Sequence, residues 1–377
     1  MVEGLINFNL NEETPTIIKV IGVGGGGGNA VEYMYSKGIC DVDFVICNTD
    51  YQALQNSPIP YKIQLGKQLT AGHGAGNNPV MGEKSAQESL DDITALLKKN
   101  TKMAFVTAAM GGGTGTGAAP VIAKLSKDMG ILTVGIVSIP ARFEGPKRLE
   151  QAREGLKRLK DNVDCLIVID NEKIKKIYGS QTISAAFAKA NDVLNIAAKG
   201  IAEIITLPGY INVDFADVKT VMTDSGVAIM GAAQASGEDR AKRAIAEALD
   251  SPLLNNNDIL GAKDILLNIT SGTDEITMNE MSEITSHIIR KVGNSAAVIW
   301  GVGNDPALGD AISVTIIATG FPTSDIELFD LSAEKKNEEK PAVLKAEEVA
   351  LKVSLTPAEI RELENIPAYK RRNLRIV

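Results

Sequence analysis

The chain has 377 residues, a net charge of −8, 44% apolar and 23% charged residues, and only 4% aromatics. That length buries a full core and points to two domains, and the apolar share is that of an ordinary globular protein. The acidic balance argues against a phosphate-backbone partner, the scarce aromatics against a base-stacking surface, and two histidines against a His-based zinc site.

Residues 1–15 are polar and read as a flexible N-terminus; the start, Met-Val-Glu-Gly, has neither the basic nor the apolar stretch of a leader. Ile17 to Val23 is a β-branched run that ends in a glycine loop, Gly22-Val-Gly-Gly-Gly-Gly-Gly28. Asn29 and a helix to about Ser36 follow, then a strand over Asp43 to Cys47 that ends at Asn48-Thr-Asp50, which makes a βαβ opening. Taken alone, Gly22-x-Gly24-x-x-Gly27 with Asp50 further on reads as a dinucleotide fingerprint. Ala71 to Pro79 is a second amide-rich segment that either closes over a terminal phosphate or forms a surface loop. Glu83 to Lys98 reads as one helix, with Ala86, Leu90, Ile93 and Leu97 on one face.

Met103 to Ala109 reads as a buried strand and leads into Met110-Gly-Gly-Gly-Thr-Gly-Thr-Gly117, with a helix expected from Ala118 to Met129 and Pro120 in its first turn. A turn that needs positive φ calls for one or two glycines, not five. Bare amides at a helix N-terminus close on an anion. Two such loops after strands of one sheet suit a nucleoside triphosphate better than a dinucleotide, which weakens the oxidoreductase reading of the first loop. No Gly-x-x-x-x-Gly-Lys-Ser/Thr occurs, so no loop lysine holds the phosphates.

Ile131 to Ile139 and Cys165 to Ile169 read as strands, and Lys147 to Lys160 as a basic helix. The strand–helix alternation predicts a mostly parallel sheet with helices on both faces. Thr182 to Thr206 carries apolar residues at three- and four-residue spacing and is apolar all round, so it reads as a spine buried between two domains. Beyond Asn212-Val-Asp214-Phe-Ala-Asp217, strands at 227–235, 265–270, 296–302 and 312–319 and helices at 239–249 and 278–292 make a smaller α+β domain. Cys40, Cys47 and Cys165 form no Cys-x-x-Cys pair, and the last two lie in apolar runs as small buried thiols, which suits a reducing cytoplasm. No apolar run nears the ~20 residues of a spanning helix. Residues 323–353 are charged and aperiodic, a linker, and Ile366 to Leu374 mixes apolar anchors with a basic cluster, like a docking peptide.

Together these motifs resemble the tubulin/FtsZ family of GTPases, which includes bacterial cell-division proteins. The resemblance rests on the two glycine loops, Asn48-Thr-Asp50, Gly74-Ala-Gly76, Phe143-Glu-Gly145 with Arg148, Asn212-x-Asp214-x-x-Asp217 and Ala318-Thr-Gly-Phe321. It covers about residues 16–322, and 366–372 is similar to the family's terminal peptide. It implies an α/β fold: a Rossmann-like GTPase domain with a parallel sheet, a long central helix and a smaller α+β domain. The implied division is 1–15, a GTP-binding domain 16–181, the central helix 182–206, a catalytic loop and helix 207–224, an α+β domain 225–322, a linker 323–355 and a partner-binding peptide 356–377.

The resemblance further implies that Gly25, Gly26, Gly27, Gly28, Asn29, Gly113, Thr114 and Gly115 line the phosphates. Asn48, Asp50, Ala75, Gly76, Gly111, Gly112, Thr116 and Gly117 complete that end. Glu144 and Arg148 would sit at the ribose, and Asn171, Phe187 and Asn191 at the guanine. Asp214 and Asp217, supported by Asn212, would complete the site of the next subunit in a head-to-tail filament, so that hydrolysis needs self-assembly. GTP or GDP is the implied ligand, with Mg²⁺ carried by the phosphates and K⁺ as an optional second ion. No direct protein ligand is assigned, and Asp50 and Asp214 are candidates through water. Implied partners are further copies of the chain, and membrane-tethering and regulatory division proteins at Ile366, Pro367, Tyr369, Lys370, Arg371 and Arg372. Nucleic acid and direct membrane insertion are not implied, and the implied location is cytoplasmic, at the midcell division site. A non-assembling nucleotide-binding regulator is the alternative.

Three departures stand out. The family usually has an acid four residues after the helix phenylalanine, where this chain has Asn191 followed by Asp192: either Asp192 substitutes or guanine selectivity softens. Asp170 stands where proline is common, and the linker is short.

Overall fold

The computed structural model describes residues 16–206, 210–211, 213–250, 259–293 and 296–321. The expected N-terminal segment, Asn212, the linker and the terminal peptide lie outside the described residues.

The first half runs β1 (Ile18–Val23), α1 (Gly24–Ser36), β2 (Val42–Asn48), α2 (Tyr51–Asn56), β3 (Tyr61–Gln64), α3 (Pro79–Glu88), α4 (Leu90–Leu97), β4 (Met103–Ala109), α5 (Thr114–Asp128), β5 (Leu132–Ile139), α6 (Pro146–Lys160), β6 (Cys165–Asp170) and α7 (Asn171–Tyr178). Then come α8 (Ile183–Thr206), α9 (Phe215–Met222), β7 (Gly226–Ser236), α10 (Arg240–Leu249), β8 (Asp264–Ser271), α11 (Met278–Val292), β9 (Ala297–Asn304) and β10 (Ala311–Thr319). The strands form one sheet in the order β3-β2-β1-β4-β5-β6-β7-β10-β8-β9. From β3 to β6 every pairing is parallel. β1 and β5 are buried along their whole length, as strands covered on both faces must be.

The chain order reverses between β1 and β4, which lie side by side. Ligands of such open sheets bind at the strand ends beside that switch point. Both glycine loops emerge there.

Three local differences from the sequence reading have physical causes. The first glycine run is not a loop ahead of its helix but the helix's first turn, since α1 starts at Gly24, whereas Gly111, Gly112 and Gly113 do form a loop ahead of α5, which starts at Thr114 and takes in Gly115 and Gly117. Pro120 therefore sits inside α5, in its second turn. The helix expected over 83–98 starts earlier, at Pro79, and breaks at Ser89, whose hydroxyl accepts from the Gly66 amide (3.1 Å) and reaches the Gln64 carbonyl (3.4 Å). A serine so engaged competes with the helix's own ladder. The short α2 and β3 carry too little periodicity to be read from sequence.

α8 is buried from Ala190 onward, but its first two turns are open, with Ile183 and Phe187 exposed. The all-round apolar pattern overstated its burial. Its lower half lies close to β10: a Cβ at Gly200 would stand 2.9 Å from the Thr315 methyl. β7 joins the two halves of the sheet, pairing parallel with β6 over Gly226–Ala228 and then antiparallel with β10.

Lys19 points from β1 into the interior, 2% exposed, and its ammonium pairs with Asp43 on β2. Removing one partner of such a pair leaves a buried charge uncompensated. Asp43→Ala should lower unfolding stability by about 3 kcal/mol in a urea titration. A loss under 1 kcal/mol would mean that Lys19 finds water by another route.

Cys47 and Cys165 are buried, and burial pushes both thiols up to about 12, whereas Cys40 is exposed. Thiolate is the reactive form. Native protein at neutral pH should therefore take up one equivalent of iodoacetamide, at Cys40, as counted by intact-mass measurement.

Candidate functional site

A cavity of about 460 Å³ opens at the switch point. One end is made of backbone: Gly25 and Gly26 from α1, and Gly112, Gly113, Thr114 and Gly115 before and within α5. Two helix N-termini thus converge, each with unsatisfied amides and a partial positive charge. The glycines divide into two groups. Added Cβ atoms at Gly26, Gly27, Gly115 and Gly117 would lie 2.4 Å from the Ala109 Cβ, 2.4 Å from the Thr107 carbonyl, 2.7 Å from the Ala109 carbonyl and 1.9 Å from the Pro79 carbonyl. The first three let α1 and α5 seat on β4, and Gly117 lets α5 close on α3. At Gly25, Gly28 and Gly112 a Cβ would meet nothing within 4 Å. Gly25 and Gly112 border the cavity, so nothing within the chain demands glycine there, and room for an approaching ligand does.

The Thr114 hydroxyl is 2.7 Å from that of Thr49, and the Thr116 hydroxyl accepts from the Gly111 amide at 2.8 Å. Thr49, buried just past β2, lay inside the Asn48-Thr-Asp50 motif but was given no role of its own in the sequence reading, because nothing local shows that its hydroxyl meets that of Thr114.

The cavity's middle holds Glu144 and Arg148, ion-paired at 2.9 Å, with Glu144 also accepting from the Ala141 amide. The far end holds Asn171 at the start of α7 and Phe187 and Asn191 on α8, one turn apart on one face. The Asn171 side-chain oxygen is buried without a partner, an acceptor awaiting a donor. Asp192 turns away and accepts from the Tyr33 hydroxyl on α1 at 3.1 Å. Of the two acid-replacement readings, the geometry thus leaves Asn191 at the cavity. Asp170 caps α7 through the Glu172 amide, and its carboxyl is raised above the usual carboxylate range, first by burial.

Twelve expected residues line the cavity: Gly25, Gly26, Asn29, Gly112, Gly113, Thr114, Gly115, Glu144, Arg148, Asn171, Phe187 and Asn191. Gly27, Gly28, Gly111, Thr116 and Gly117 belong to the supporting turns behind them. Asn48 accepts from the Asp50 amide, and Asp50 caps α2 by accepting from the Gln52 and Ala53 amides. Ala75 and Gly76 lie in the neighbouring loop, where the Ala75 methyl packs on Gly113. Met110, Ser138, Pro140, Ala190 and Leu194 are among the other lining residues, and the sequence reading named none of them as site residues.

Asp214 and Asp217 stand apart, exposed and outside the cavity lining. Asp214 caps α9, accepting from the Asp217 amide at 2.9 Å. Their loop is pinned to β9 by the Tyr210 amide on the Val302 carbonyl, and the Tyr210 hydroxyl donates to Glu275 at 2.5 Å. Buried Arg240 in turn donates to the backbone carbonyls of Asp274, Glu275 and Asp310 and pairs with Glu280. Beside the loop lies an apolar groove of about 550 Å³ between α11 and β9, lined by Ile211, Met278, Met281, Ile289, Val298 and Trp300 among others. Its rim is open: Met278 is 86% and Tyr210 66% exposed. Among the described residues no three His, Cys, Asp or Glu come together as a metal site, and no helix is long and apolar enough to cross a membrane.

Comparison with known proteins agrees with this geometry. The model of the Tubulin/FtsZ family, GTPase domain, matches residues 17–179, and that of the FtsZ family, C-terminal domain, matches 226–322. The chain is 49% identical over 324 residues to a cell division protein FtsZ of Porphyromonas gingivalis, covering 85% of this chain and 71% of the relative. It is 47% identical over 317 residues to that of Coxiella burnetii, covering 83% and 82%. A solved structure titled as an empty FtsZ dimer of M. jannaschii superposes with a TM-score of 0.76 at 42% identity, covering 82% of this chain and 90% of that one. With glycine cradles at the switch point, a fold shared with these structures and family matches across both halves of the sheet, the chain belongs to the FtsZ family of tubulin-like GTPases.

Proposed function

We propose that the cavity binds GTP and GDP, and that the chain hydrolyses GTP only when a second copy docks head to tail and supplies Asp214 and Asp217. The observation that carries this is a mismatch: the cavity can hold phosphates but has no carboxylate free to orient water. Glu144 is engaged by Arg148 and the Ala141 amide, while the two loop aspartates are exposed and lie outside the lining. A heterologous contact that does not close builds a filament. The apolar groove beside the aspartates supports this, since open apolar surface of that kind marks a protein contact.

Phosphate oxygens would rest on the amides around Gly25 and Gly112–Gly115, with Thr114 adding a hydroxyl. Arg148 and Glu144 would face the ribose, and Asn171, Phe187 and Asn191 the base. The neighbour's Asp214 and Asp217 would orient the attacking water. Mg²⁺, arriving on the phosphates with K⁺ as an optional second ion, supplies charge neutralisation there. Asp50, already accepting two amides, has one carboxylate oxygen left for water-mediated contact.

The biological reading is a division-ring protein of the bacterial cytoplasm acting at midcell. In it 16–181 binds nucleotide, 182–206 connects, 207–224 carries the shared catalytic loop, 225–322 docks, and 323–355 tethers the peptide at 356–377. That peptide would take membrane-tethering and regulatory partners through Ile366, Pro367, Tyr369 and Lys370 to Arg372. The name of the relatives, cell division protein FtsZ, supports this.

The test is phosphate release and light scattering against protein concentration, with GTP and Mg²⁺. Activity per subunit should rise with concentration and scattering should appear with it. A specific activity independent of concentration, without scattering, would instead favour the non-assembling regulator.

A further inference from the structure

The loop that carries Asp214 and Asp217 is held to β9 at neighbouring points. The Tyr210 amide donates to the Val302 carbonyl (2.9 Å), and the Val302 amide donates to the Ile211 carbonyl (3.1 Å). Val213 is buried and packs at Gly301, where an added Cβ would stand 3.3 Å from its side chain. Anchors along one strand define an axis, and a segment held only on that axis can still turn about it. A further tie leads away from β9. The Tyr210 hydroxyl donates to the Glu275 carboxylate at 2.5 Å, on the connection between β8 and α11. Glu275 is itself fixed from behind. Buried Arg240 donates to its backbone carbonyl at 3.0 Å and to that of Asp274 at 3.1 Å, and pairs with Glu280 in the first turn of α11.

We infer that Tyr210 is a positioning residue for hydrolysis: its hydroxyl, held by Glu275, sets the orientation in which Asp214 and Asp217 meet the next copy's nucleotide. This rests on the reading of those aspartates as the shared half of the active site, and adds what aims them.

Tyr210 is 66% exposed, and Glu275 is exposed as well. In the free chain water competes for both groups, so the tie adds little to stability. Both line the apolar groove beside the loop. A copy seated over that groove excludes the water, and a hydrogen bond to a charged acceptor strengthens when water leaves. The tie thus reaches full strength in the assembled state, where the aspartates work. The hydrogen bond to Glu275 also holds the Tyr210 hydroxyl above its usual range, so it remains a donor at neutral pH. Catalytic groups displaced by about 1 Å lose up to about a hundredfold in rate.

The experiment uses the full chain and its Tyr210→Phe, Glu275→Ala, Glu275→Gln and doubly substituted variants. It reads kcat at saturating GTP with Mg²⁺, light scattering, affinity for a fluorescent GTP analogue, and the thermal midpoint. Tyr210→Phe and Glu275→Ala should each lower kcat about tenfold or more, with analogue affinity, scattering and midpoint close to wild type. Glu275→Gln, whose amide oxygen still accepts, should fall between. The double variant Tyr210→Phe with Glu275→Ala should be no slower than the slower single one, since both remove the same bond. A wild-type kcat for Tyr210→Phe, or losses that multiply in the double variant, would overturn the inference. So would a loss of scattering, which makes Tyr210 a docking contact, or a lowered midpoint, which makes it a structural prop. Asp214→Ala separates the inference from the reading beneath it. If that variant is slow while Tyr210→Phe is not, only the inference fails. If both hydrolyse GTP at the wild-type rate, the shared site fails with it.

Discussion

Asp214→Ala should bind GTP with wild-type affinity and hydrolyse it at least about a hundredfold more slowly, the typical worth of a positioned catalytic group. The binding half of this expectation follows from geometry, because Asp214 is absent from the lining of its own chain's cavity. The variant also loses a helix cap, since Asp214 accepts the Asp217 amide, at a cost of about 1 kcal/mol. Asp214→Asn separates the two effects: its amide oxygen still caps α9, but the charge that polarises water is gone. Stability should return while activity stays low. If Asp214→Asn instead restored hydrolysis, the aspartate would be a structural cap only.

The second large effect concerns glycines that nothing in the fold requires. Gly25→Val and Gly112→Val should keep the protein folded, with stability within about 0.5 kcal/mol of wild type, because neither Cβ has a neighbour within 4 Å. Each should weaken GTP by about a hundredfold or more, as the side chain occupies ground where phosphates approach the amides. Gly27→Ala is the control. Its Cβ would stand 2.4 Å from the Thr107 carbonyl, so it should cost about 3 kcal/mol of stability by overpacking. Calorimetry and nucleotide titration on the three variants distinguish a cradle from a packing site: equal losses of stability would reject the division. Gly112→Val and Asp214→Ala should also complement each other. One lacks a usable cavity and the other a usable aspartate, so a mixture offers a contact in which both halves are intact. Partial recovery of phosphate release is expected on mixing, and a mixture as inactive as its parts would reject the shared site.

Much of the fold was legible because burial leaves a period in the sequence. β1, β4 and β5 are mostly apolar runs, broken by polar side chains only at Lys19, Thr107, Thr133 and Ser138, as befits strands covered on both faces, and α11 shows its buried stripe at Met281, Ile284 and Ile288. The break at Ser89 was not legible, since it depends on a hydroxyl reaching Gly66 and Gln64, more than twenty residues away. Nor was the open start of α8, where apolar Ile183 and Phe187 face outward and read like core.

By itself, the sequence determined that two glycine-rich loops follow strands of one sheet and lead into helices, that no loop lysine accompanies them, and that two aspartates three apart open a later helix. Those are local facts, set by backbone conformation, capping and period. Only the tertiary structure decided which glycines serve packing and which leave room, that Asn191 and not Asp192 faces the cavity, and that Asp214 and Asp217 stand outside it. Such matters turn on where segments more than a hundred residues apart come to rest. Close packing of α1, α5 and α8 on the sheet fixes that placement, and no stretch of sequence carries it alone.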